Sequence, residues 1–593
     1  MGGDPTGYAR TLTLIGTTSA DGLVTRTEVQ VDLASGRFVR VERGAIRNSR
    51  VVFDGRTLWQ RDWTGGVHPL DGVDASMGAV TEAYLRRYGY LHPGRDPATF
   101  GCVSGGAGAD AQYDIVSIVP QGGREVRMWV DRGSGLPAKT WQRTATSTAT
   151  ALYDDYRQVG QFALPFVVRS TEGSGSSTFA IQSVTFTQGM LPRPAFARPA
   201  TLHDGSIIDG ARSTIVPMIV EAGQALVEAE VNGRPLLFQL DTGGHAILTR
   251  EAARALGVHL FGSGASGGGG EGTVAEQYTR PQTLQIGGAR IGALPFYVIP
   301  YGRDFWDRGP GRGPRAGILG LEIFERFAVR LDYASGHLTL TPLQRFAYRG
   351  AGARLALTFE ADTPLVPARA DDVPGHFQLD TGNSGGTLIF GPFLRAHHLN
   401  SRYTTGFKAT SSGTGGEVHL QTRRLRRLAV DGLLLERFVS YFVDQRTGAF
   451  SSRTEAGNLG FDVLSQFTTT LDYLHRVAYV EPLAVPRIPV YNRVGLYATP
   501  DGGALIVRVV FPNSPASLAG IVPNDQLLKV NGRAGSGISV DAFRTLTRGA
   551  IGSAMVLDIM HRGHRRHVIL HLRELLCPSP HEMCSPAVRR IHN

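Results

Sequence analysis

Two identical hexapeptides, Phe-Gln-Leu-Asp-Thr-Gly, place an aspartate at the end of an apolar run at two points in the chain. They span residues 238–243 and 377–382, so the acids are Asp241 and Asp380. One carboxylate cannot both take a proton from an attacking water and give one to a carbonyl oxygen. Two carboxylates about 3 Å apart share a single proton and divide these roles. The repeat therefore predicts a site in which paired aspartates activate water.

The duplication extends beyond the hexapeptide, as expected of an internal repeat. Each copy is followed by an Ala-Gly segment ending in Leu-Gly and then by Leu-Asp-Tyr, at residues 316–320 and 331–333 in the first copy and 456–460 and 471–473 in the second. The two motif aspartates are 139 positions apart, and the later landmarks are 140 apart. This near-constant register predicts two matched lobes.

The elements that must position the acids are strands joined by tight turns. Asn-Gly between two apolar runs is a strong hairpin signal, and Gly after Asp-Thr allows the backbone a sharp turn. The predicted first hairpin has strands 225–231 and 235–240 around Asn232-Gly233, and the second has strands 365–370 and 376–379 around Pro374-Gly375.

Residues 213–482 resemble the retropepsin-like aspartic proteases, with two Asp-Thr-Gly lobes in one chain as in the pepsin arrangement. The resemblance implies that Asp241 and Asp380 are catalytic and that Thr242 and Thr381 brace the two loops. It implies supporting roles for the motif glycines and for the later Leu-Gly segments, that is, for Gly243, Gly382, Ile318-Leu319-Gly320 and Leu459-Gly460.

The same resemblance implies Gly-rich flaps that close over the substrate. Residues 262–272 and 413–416 lie where such flaps would occur. The chain departs from the family in having Gly244 and Asn383 after the motif, where Ala or Ser is usual, and Asn458 where an apolar residue is usual. These departures are also compatible with a second lobe whose contribution to activity is weakened.

Two other motifs compete for the same glycines. Residues 382–386 fit a Gly-x-Ser-x-Gly nucleophile elbow around Ser384, but residues 387–390 read as a strand where the elbow requires a helix. Residues 262–267 have the glycine spacing of the Gly-x-Gly-x-x-Gly dinucleotide-binding motif. The consecutive glycines 267–270, however, would disrupt the helix that this motif requires. There is no His-Glu-x-x-His or paired Cys-x-x-Cys motif, so we expect neither a metal nor a cofactor.

The stretch 490–575 carries a second signature. A strand at 507–511, a Ser-Pro helix start at Ser514 and a Val-Asn-Gly turn at 530–532 resemble the PDZ domain of bacterial proteases. In that family a loop binds a peptide carboxylate and the ligand adds as a strand. The resemblance assigns this loop to Gly495-Leu496-Tyr497, with Tyr497 in place of a second glycine.

Residues 1–195 show alternating apolar runs with Gly-rich turns, which predict a curved antiparallel sheet. This sheet is similar to the half-barrel of lipoprotein carriers. We nevertheless favour a β domain that supports or shields the rest of the protein over a role in lipid transport. The expected fold is therefore mainly β, with an N-terminal antiparallel domain, a two-lobed retropepsin-like β-barrel protease and a PDZ-like α+β domain. The expected boundaries are 1–195, 213–341 and 351–482 for the two lobes, 490–575, and a tail at 576–593.

The charge, the apolar runs and the cysteine count limit which partners and compartments the chain fits. The net charge of +10 is accompanied by Arg pairs at 423–424 and 426–427 without interleaved aromatics, which favours a solvated strand face over nucleic-acid binding. No apolar run is long enough to span a bilayer. Cys577 and Cys584 are candidates for a disulfide in an oxidising compartment, leaving Cys102 unpaired, although a reduced cytoplasmic protein fits the count equally well. The start lacks the apolar core of a signal peptide.

These observations favour a periplasmic or secreted bacterial aspartic endopeptidase whose PDZ-like domain recruits or orients a peptide or protein substrate. The alternative is a non-catalytic peptide-binding scaffold with degenerate lobes. The two readings differ in whether Asp241 and Asp380 meet and turn over substrate.

Overall fold

The computed structural model describes residues 7, 9–105, 108–201, 203–309, 311–360, 362–403, 405–487, 489–501, 504–576 and 586–590. Within these ranges the chain is mostly β, and its strands form five sheets. The expectation of a mainly β protein with several antiparallel sheets is confirmed.

The first 13 strands form one continuous antiparallel sheet, in the order β6-β5-β4-β3-β2-β1-β13-β12-β11-β10-β9-β8-β7. Helix α1 packs Ala79 and Ala83 against apolar side chains of this sheet. The elements are β1 (Thr11–Ala20), β2 (Leu23–Asp32), β3 (Phe38–Arg43), β4 (Asn48–Phe53), β5 (Leu58–Arg61), β6 (Val67–Leu70), α1 (Val73–Arg86), β7 (Ala98–Gly105), β8 (Tyr113–Pro120), β9 (Val126–Asp131), β10 (Pro137–Arg143), β11 (Thr148–Val159), β12 (Phe162–Glu172) and β13 (Gly175–Thr187).

The next elements, β14 to β27, form what we call the first lobe. They are β14 (Gly205–Ile207), β15 (Thr214–Pro217), β16 (Ile219–Glu221), β17 (Gln224–Val231), β18 (Arg234–Leu240), β19 (Ile247–Thr249), α2 (Arg250–Leu256), β20 (Phe261–Ser266), β21 (Val274–Thr279), β22 (Leu284–Ile286), β23 (Ala289–Ile291), β24 (Phe296–Ile299), α3 (Arg303–Trp306), β25 (Arg315–Leu319), α4 (Leu321–Phe324), β26 (Phe327–Asp332) and β27 (His337–Pro342).

The second lobe repeats this plan with β28 to β38. Its elements are β28 (Ala353–Ala356), β29 (Thr358–Glu360), β30 (Thr363–Ala370), β31 (Val373–Leu379), β32 (Thr387–Phe390), α5 (Gly391–Ala396), β33 (Phe407–Gly413), β34 (Gly416–Val430), β35 (Leu433–Val443), β36 (Gly457–Leu459), α6 (Phe461–Leu464), β37 (Phe467–Asp472) and β38 (Val477–Pro482).

A six-stranded sheet joins the two lobes, in the order β15-β27-β26-β37-β38-β28. At its centre β26 and β37 pair antiparallel, so the Leu-Asp-Tyr landmarks of the two copies lie on adjacent strands, with Leu331 opposite Thr469. Apolar side chains of both lobes share one buried core. The two halves of the repeat therefore pack as a single body.

The C-terminal elements form a separate sheet with its own core, in the order β39-β40-β41-β43-β44. They are β39 (Leu496–Asp501), β40 (Ala504–Val510), α7 (Pro515–Leu518), β41 (Gln526–Val530), β42 (Arg533–Ala534), α8 (Val540–Thr547), β43 (Ala554–His561) and β44 (His564–His571), followed by β45 (Ala587–Arg590), which pairs with β35. Ser514 caps α7 through a capping box, as its Ser-Pro sequence predicts.

The turn residues explain the two hairpins that lead to Asp241 and Asp380, but the second turn lies elsewhere than the sequence predicts. Asn232 and Gly233 have positive φ and form the predicted two-residue turn. The second turn is not at Pro374-Gly375, as the sequence suggested, but at Asp371-Asp372, whose φ angles are 47° and 68°. Pro374 lies within β31 instead. Asp tolerates the left-handed conformation, so it replaces the Asn-Gly pair of the first lobe.

Among the described residues, no helix combines the length and the apolar character needed to cross a membrane. Helix α1, with 14 residues, lies in a region where the sequence predicts only strands.

Candidate active site

The two motif aspartates leave equivalent strands at equivalent places. In the first lobe β18 pairs parallel with β25, and the Asp241 N–H donates to Leu319 O at 3.0 Å. In the second lobe β31 pairs parallel with β36, and the Asp380 N–H donates to Leu459 O at 3.2 Å. The Leu-Gly segment of each copy thus lies directly beside its aspartate.

The carboxyl groups of Asp241 and Asp380 lie close together, and each shifts the pKa of the other. The approach is so close that a Cβ on Gly382 would lie 2.4 Å from Asp241 Cγ, and one on Gly243 would lie 3.3 Å from Asp380 Cγ. The backbone N–H groups of these glycines donate to the aspartates of their own loops, each at 2.8 Å. No residue with a side chain therefore fits at position 382 without displacing Asp241.

Two threonines lock the loops together across the lobe boundary. The Thr242 hydroxyl donates to Leu379 O at 2.6 Å and accepts from the Thr381 N–H at 3.0 Å. The Thr381 hydroxyl donates to Leu240 O at 3.2 Å and accepts from the Thr242 N–H at 3.0 Å. Both threonines are buried. This reciprocal network fixes the distance between the two aspartates, because neither loop can move without breaking bonds to the other.

The electrostatics of the two acids differ. Burial raises the pKa of Asp241, and the charge of Asp380 raises it further. Burial also raises the pKa of Asp380, while hydrogen bonds from Asn458, Gly382 and Asn383 lower it. Asp380 therefore has more groups that stabilise its negative charge, although the titration belongs to the pair.

Asn458 is one source of this asymmetry. Its side-chain N–H donates to Asp380 Oδ2 at 2.5 Å and to Gln378 Oε1 at 2.9 Å, and it accepts from the Asn383 side chain at 2.8 Å. The equivalent position in the first lobe is Ile318, since Gln239 pairs with Ile318 as Gln378 pairs with Asn458. The sequence flagged Asn458 only as a departure from an apolar pattern.

The glutamine of the hexapeptide also contributes, and sequence reasoning gave it no role. The Gln239 side chain donates to Gly382 O at 3.3 Å and accepts from Arg315 at 3.0 Å. It therefore connects the first lobe to the loop of the second aspartate. The presence of glutamine at the same place in both hexapeptides, as Gln239 and Gln378, was the one feature of the sequence that pointed to this role.

The two Gly-rich segments form hairpin tips that touch. Strands β20 and β21 carry the first tip, and β33 and β34 carry the second. The Gly270 N–H donates to Thr414 O and the Gly272 N–H donates to Gly415 O, both at 2.9 Å. The tips are thus hydrogen-bonded to each other through backbone groups, which describes a closed pair of flaps.

Tyr301 connects this closure to the acids. Its hydroxyl lies 3.0 Å from Thr414 Oγ1 in the second tip. The charge of Asp241 is close enough to raise the pKa of Tyr301, after the larger effect of burial. Tyr301 follows β24, outside both predicted flaps, and nothing in its local sequence indicated this position.

The PDZ-like loop at Gly495-Leu496-Tyr497 begins β39, the edge strand of its sheet. Gly495 has φ of +82°, and its N–H donates to Asn492 Oδ1 at 2.8 Å. Tyr497 packs edge-on against Phe511 and against apolar side chains of the second lobe. The loop therefore faces the second lobe, and its glycine N–H already has a partner within the chain.

Helix α8, beside β39, is docked on the region of the acids. Asp541 Oδ1 accepts from the Ala222 N–H at 2.8 Å, and Arg544 donates to Ala222 O and to Ser384 O. Helix α3 of the first lobe lies close to β39.

The remaining predicted residues do not join this site. The Ser384 carbonyl receives Arg544, and residues 387–390 form strand β32, as expected in the argument against a nucleophile elbow. Cys102 is exposed with a free thiol. The predicted Cys577 to Cys584 disulfide lies outside the described residues.

Comparison with known families agrees with this geometry. Residues 227–323 match the family model described as aspartyl protease, and residues 506–559 match the PDZ domain model. The chain thus contains a segment that matches aspartyl proteases, which covers most of the first lobe, and a segment that matches PDZ domains near its C terminus.

Matches to individual proteins are short. Mouse Syntenin-1 is 33% identical over 80 residues, covering 14% of this chain and 27% of that protein. The carboxy-terminal processing protease CtpA of Bacillus subtilis is 41% identical over 63 residues, covering 11% of this chain and 13% of that protein. The chain therefore spans only about a quarter or less of these relatives.

Solved structures give two further likenesses. A retropepsin-like aspartic protease from Rickettsia conorii is 24% identical with a TM-score of 0.16, covering 22% of this chain and 89% of that one. A LolA superfamily protein from Nitrosomonas europaea is 14% identical with a TM-score of 0.24, covering 32% and 90%. At these TM-scores neither likeness decides the fold, which the strand pairing above defines.

Proposed function

We propose that the chain is an aspartic endopeptidase in which Asp241 and Asp380 form one catalytic pair. The observation that carries the proposal is the close approach of two carboxyl groups on loops held together by the threonine network at the lobe junction. Asp380, which receives more donors, is the base, and Asp241 is the acid. This division follows from their different surroundings.

The reaction follows from these roles. Asp380 takes a proton from water as the water oxygen attacks the peptide carbonyl carbon, and Asp241 gives its proton to the carbonyl oxygen. The tetrahedral diol then collapses: Asp380 gives its proton to the amide nitrogen, the C–N bond breaks, and Asp241 recovers a proton from the diol oxygen. Acid and amine leave, and the pair returns to its starting protonation.

The flaps supply the remaining requirement, exclusion of water from the reacting groups. The contacts between Gly270 and Thr414 and between Gly272 and Gly415 must open for an extended peptide to enter and close again over it. Thr242, Gly243, Thr381 and Gly382 act as supports that keep the acids in register.

The PDZ domain implies peptide binding, and we propose that it recruits or orients the substrate. The loop Gly495-Leu496-Tyr497 and the edge of β39 are the proposed contact. Docking of α8 beside Ser384 would place a bound peptide near the acids. We further propose action in the periplasm or outside a bacterial cell, which fractionation of the producing cells would check.

The domain boundaries remain proposals as well: an N-terminal β domain at 1–195, lobes at 213–341 and 351–482, the PDZ-like unit at 490–575 and a tail at 576–593. For the first of these we favour a supporting role, because its sheet contacts the first flap. The Ser263 N–H donates to Asp21 O at 2.7 Å.

Substitution of each acid tests the function. Asp241→Asn and Asp380→Asn should each lower cleavage of an unfolded protein substrate by at least about 1,000-fold, measured by mass spectrometry of the products between pH 3 and 8. Asp332→Asn is the matched control, because Asp332 is a repeated aspartate on the inter-lobe sheet. It should retain activity.

Full activity in either acid variant would refute the pair. Absence of cleavage by the native chain, combined with tight peptide binding, would favour the scaffold alternative.

A further inference from the structure

A second group of titratable residues lies away from the catalytic acids, where the N-terminal sheet meets the lobes. Asp62 and His68 flank the turn between β5 and β6, and Glu325 follows α4. All three are buried, and one ligand atom from each lies within 4.8 Å of those of the other two. Three residues from two distant parts of the chain thus converge on one point.

The carboxylates of this group are incompletely satisfied. Asp62 Oδ1 accepts from the N–H and hydroxyl of Thr64 and from the Gly66 N–H, whereas Oδ2 is buried without a hydrogen-bond partner in the described part of the chain. Glu325 Oε1 lies 2.9 Å from His68 Nδ1, and Oε2 likewise lacks a described partner. A buried carboxylate oxygen left unpaired is costly, so each calls for a cation or donor.

Each ring nitrogen of His68 lies beside a carboxylate. While Nδ1 faces Glu325, Nε2 lies 2.8 Å from Asp362 Oδ1. The other Asp362 oxygen lies 3.2 Å from His245 Nε2. A ligating histidine commonly gives its second ring N–H to such a carboxylate, which fixes the ring orientation.

Charge also favours a cation. Four carboxylates lie in this network, those of Asp62, Glu322, Glu325 and Asp362. The nearby Arg326 is already engaged, since it donates to Asp204 at 2.8 Å and to the carbonyls of Thr64 and Glu322. When all four carboxylates are ionised, two protonated histidines balance only half of their charge.

We propose that Asp62, His68 and Glu325 bind one divalent transition-metal ion of the Zn²⁺ type. One imidazole and two carboxylates suit Zn²⁺, and a water molecule completes the four ligands. On binding, His68 loses its second proton and Asp362 holds the remaining ring N–H. No metal motif is visible along the chain because His68 and Glu325 are 257 positions apart.

The site would act as a clamp. It ties the β5–β6 turn of the N-terminal sheet to the first lobe, and through Asp362 to the second lobe. His245, which follows the first catalytic loop, is joined to the same Asp362. Metal binding is therefore expected to stabilise the docking of the N-terminal sheet on the lobes.

Zinc titration of the full chain tests the proposal. After removal of metals with a chelator, calorimetric titration with ZnCl₂ should show one tight site per chain. At free Zn²⁺ about 100-fold above Kd the unfolding midpoint should rise by about 2–3 °C. Mg²⁺ at the same concentration should produce no such shift, because it avoids imidazole ligands. Co²⁺ should bind with visible absorption bands of a four-coordinate site.

Glu325→Gln is the main variant, because it keeps the shape and one oxygen but removes the charge. It should weaken Zn²⁺ binding at least tenfold and abolish the Co²⁺ bands, as should Asp62→Asn if its turn survives. His567→Gln, in an exposed His-Asp pair, should change neither. Failure of the native chain to bind Zn²⁺, binding of Mg²⁺ alone, or unchanged Zn²⁺ affinity in a folded Glu325→Gln variant would overturn the proposal.

Discussion

At the scale of residues, the motif aspartates were found from the sequence because their chemistry needs two copies of one local pattern. The residues that make the two copies unequal were not found, because their partners are distant. Asn458 contacts Asp380 from 78 positions away, and Tyr301 contacts Thr414 from 113. Spacing along the chain carries no record of such contacts.

Asn458→Ile gives the second lobe the residue that the first lobe has at Ile318. The N–H of Asn458 favours ionised Asp380, so its loss raises the pKa of Asp380. Because Asp380 must be ionised to act as base, the acid limb of the activity profile should move to higher pH. We expect kcat/KM on that limb to fall about tenfold, since a hydrogen bond to a charged group contributes about 1.5–3 kcal/mol.

The control for this profile is Ile318→Val in the first lobe, which should leave the acid limb in place. An Asn458→Ile profile that coincides with that of the native chain at every pH would contradict the role assigned to Asn458.

At the scale of elements, a turn or helix could be predicted only where its own residues specify it without competition from neighbouring residues. Asn232-Gly233 specified its hairpin fully. The equivalent turn at Asp371-Asp372 was misplaced because Pro374 and Gly375, strong turn residues, follow it within the strand. Helix α1 was missed because its buried face consists mainly of small residues such as Ala79 and Ala83, which give little apolar contrast.

The flap tips provide a test at this scale. A Cβ on Gly270 would lie 2.5 Å from Gly415 C, so Gly270→Ala should force the tips apart. We expect faster amide hydrogen exchange in β20, β21, β33 and β34 and about tenfold lower kcat/KM, because closure completes the site.

Gly267→Ala is the matched control for the flaps. Its Cβ would meet only Ser174 Oγ, at 3.9 Å, so exchange and activity should stay native. Native exchange rates in Gly270→Ala would show that the contact between the tips does not hold the flaps closed.

At the scale of the whole molecule, the sequence indicated separate units but not their contacts. The N terminus of α1 is capped by Glu360 of the second lobe, whose carboxylate accepts from the Asp74 and Ala75 N–H groups at 3.1 and 2.8 Å. Arg424 of the second lobe lies 2.8 Å from Glu574, beyond the PDZ-like sheet. Such contacts join surfaces that are polar in sequence, so no periodicity predicts them.

The shared core of the lobes predicts that they unfold together. Phe324 of the first lobe stacks on Tyr473 of the second, with ring centroids 5.7 Å apart. Phe324→Ala should lower the free energy of unfolding by about 3–5 kcal/mol. Hydrogen exchange should then accelerate in β37 as well as in β26. Acceleration confined to the first lobe would contradict a single cooperative body.

The most direct test of the central claim is calorimetric binding of a statine-type peptide, whose hydroxyl takes the place of the attacking water between the two acids. We expect one inhibitor bound per monomeric chain, tightest when the pair holds a single proton. We also expect loss of that tight binding in both Asp241→Asn and Asp380→Asn. Tight binding that survives in either variant, or one inhibitor shared by two chains, would contradict a catalytic pair within one chain.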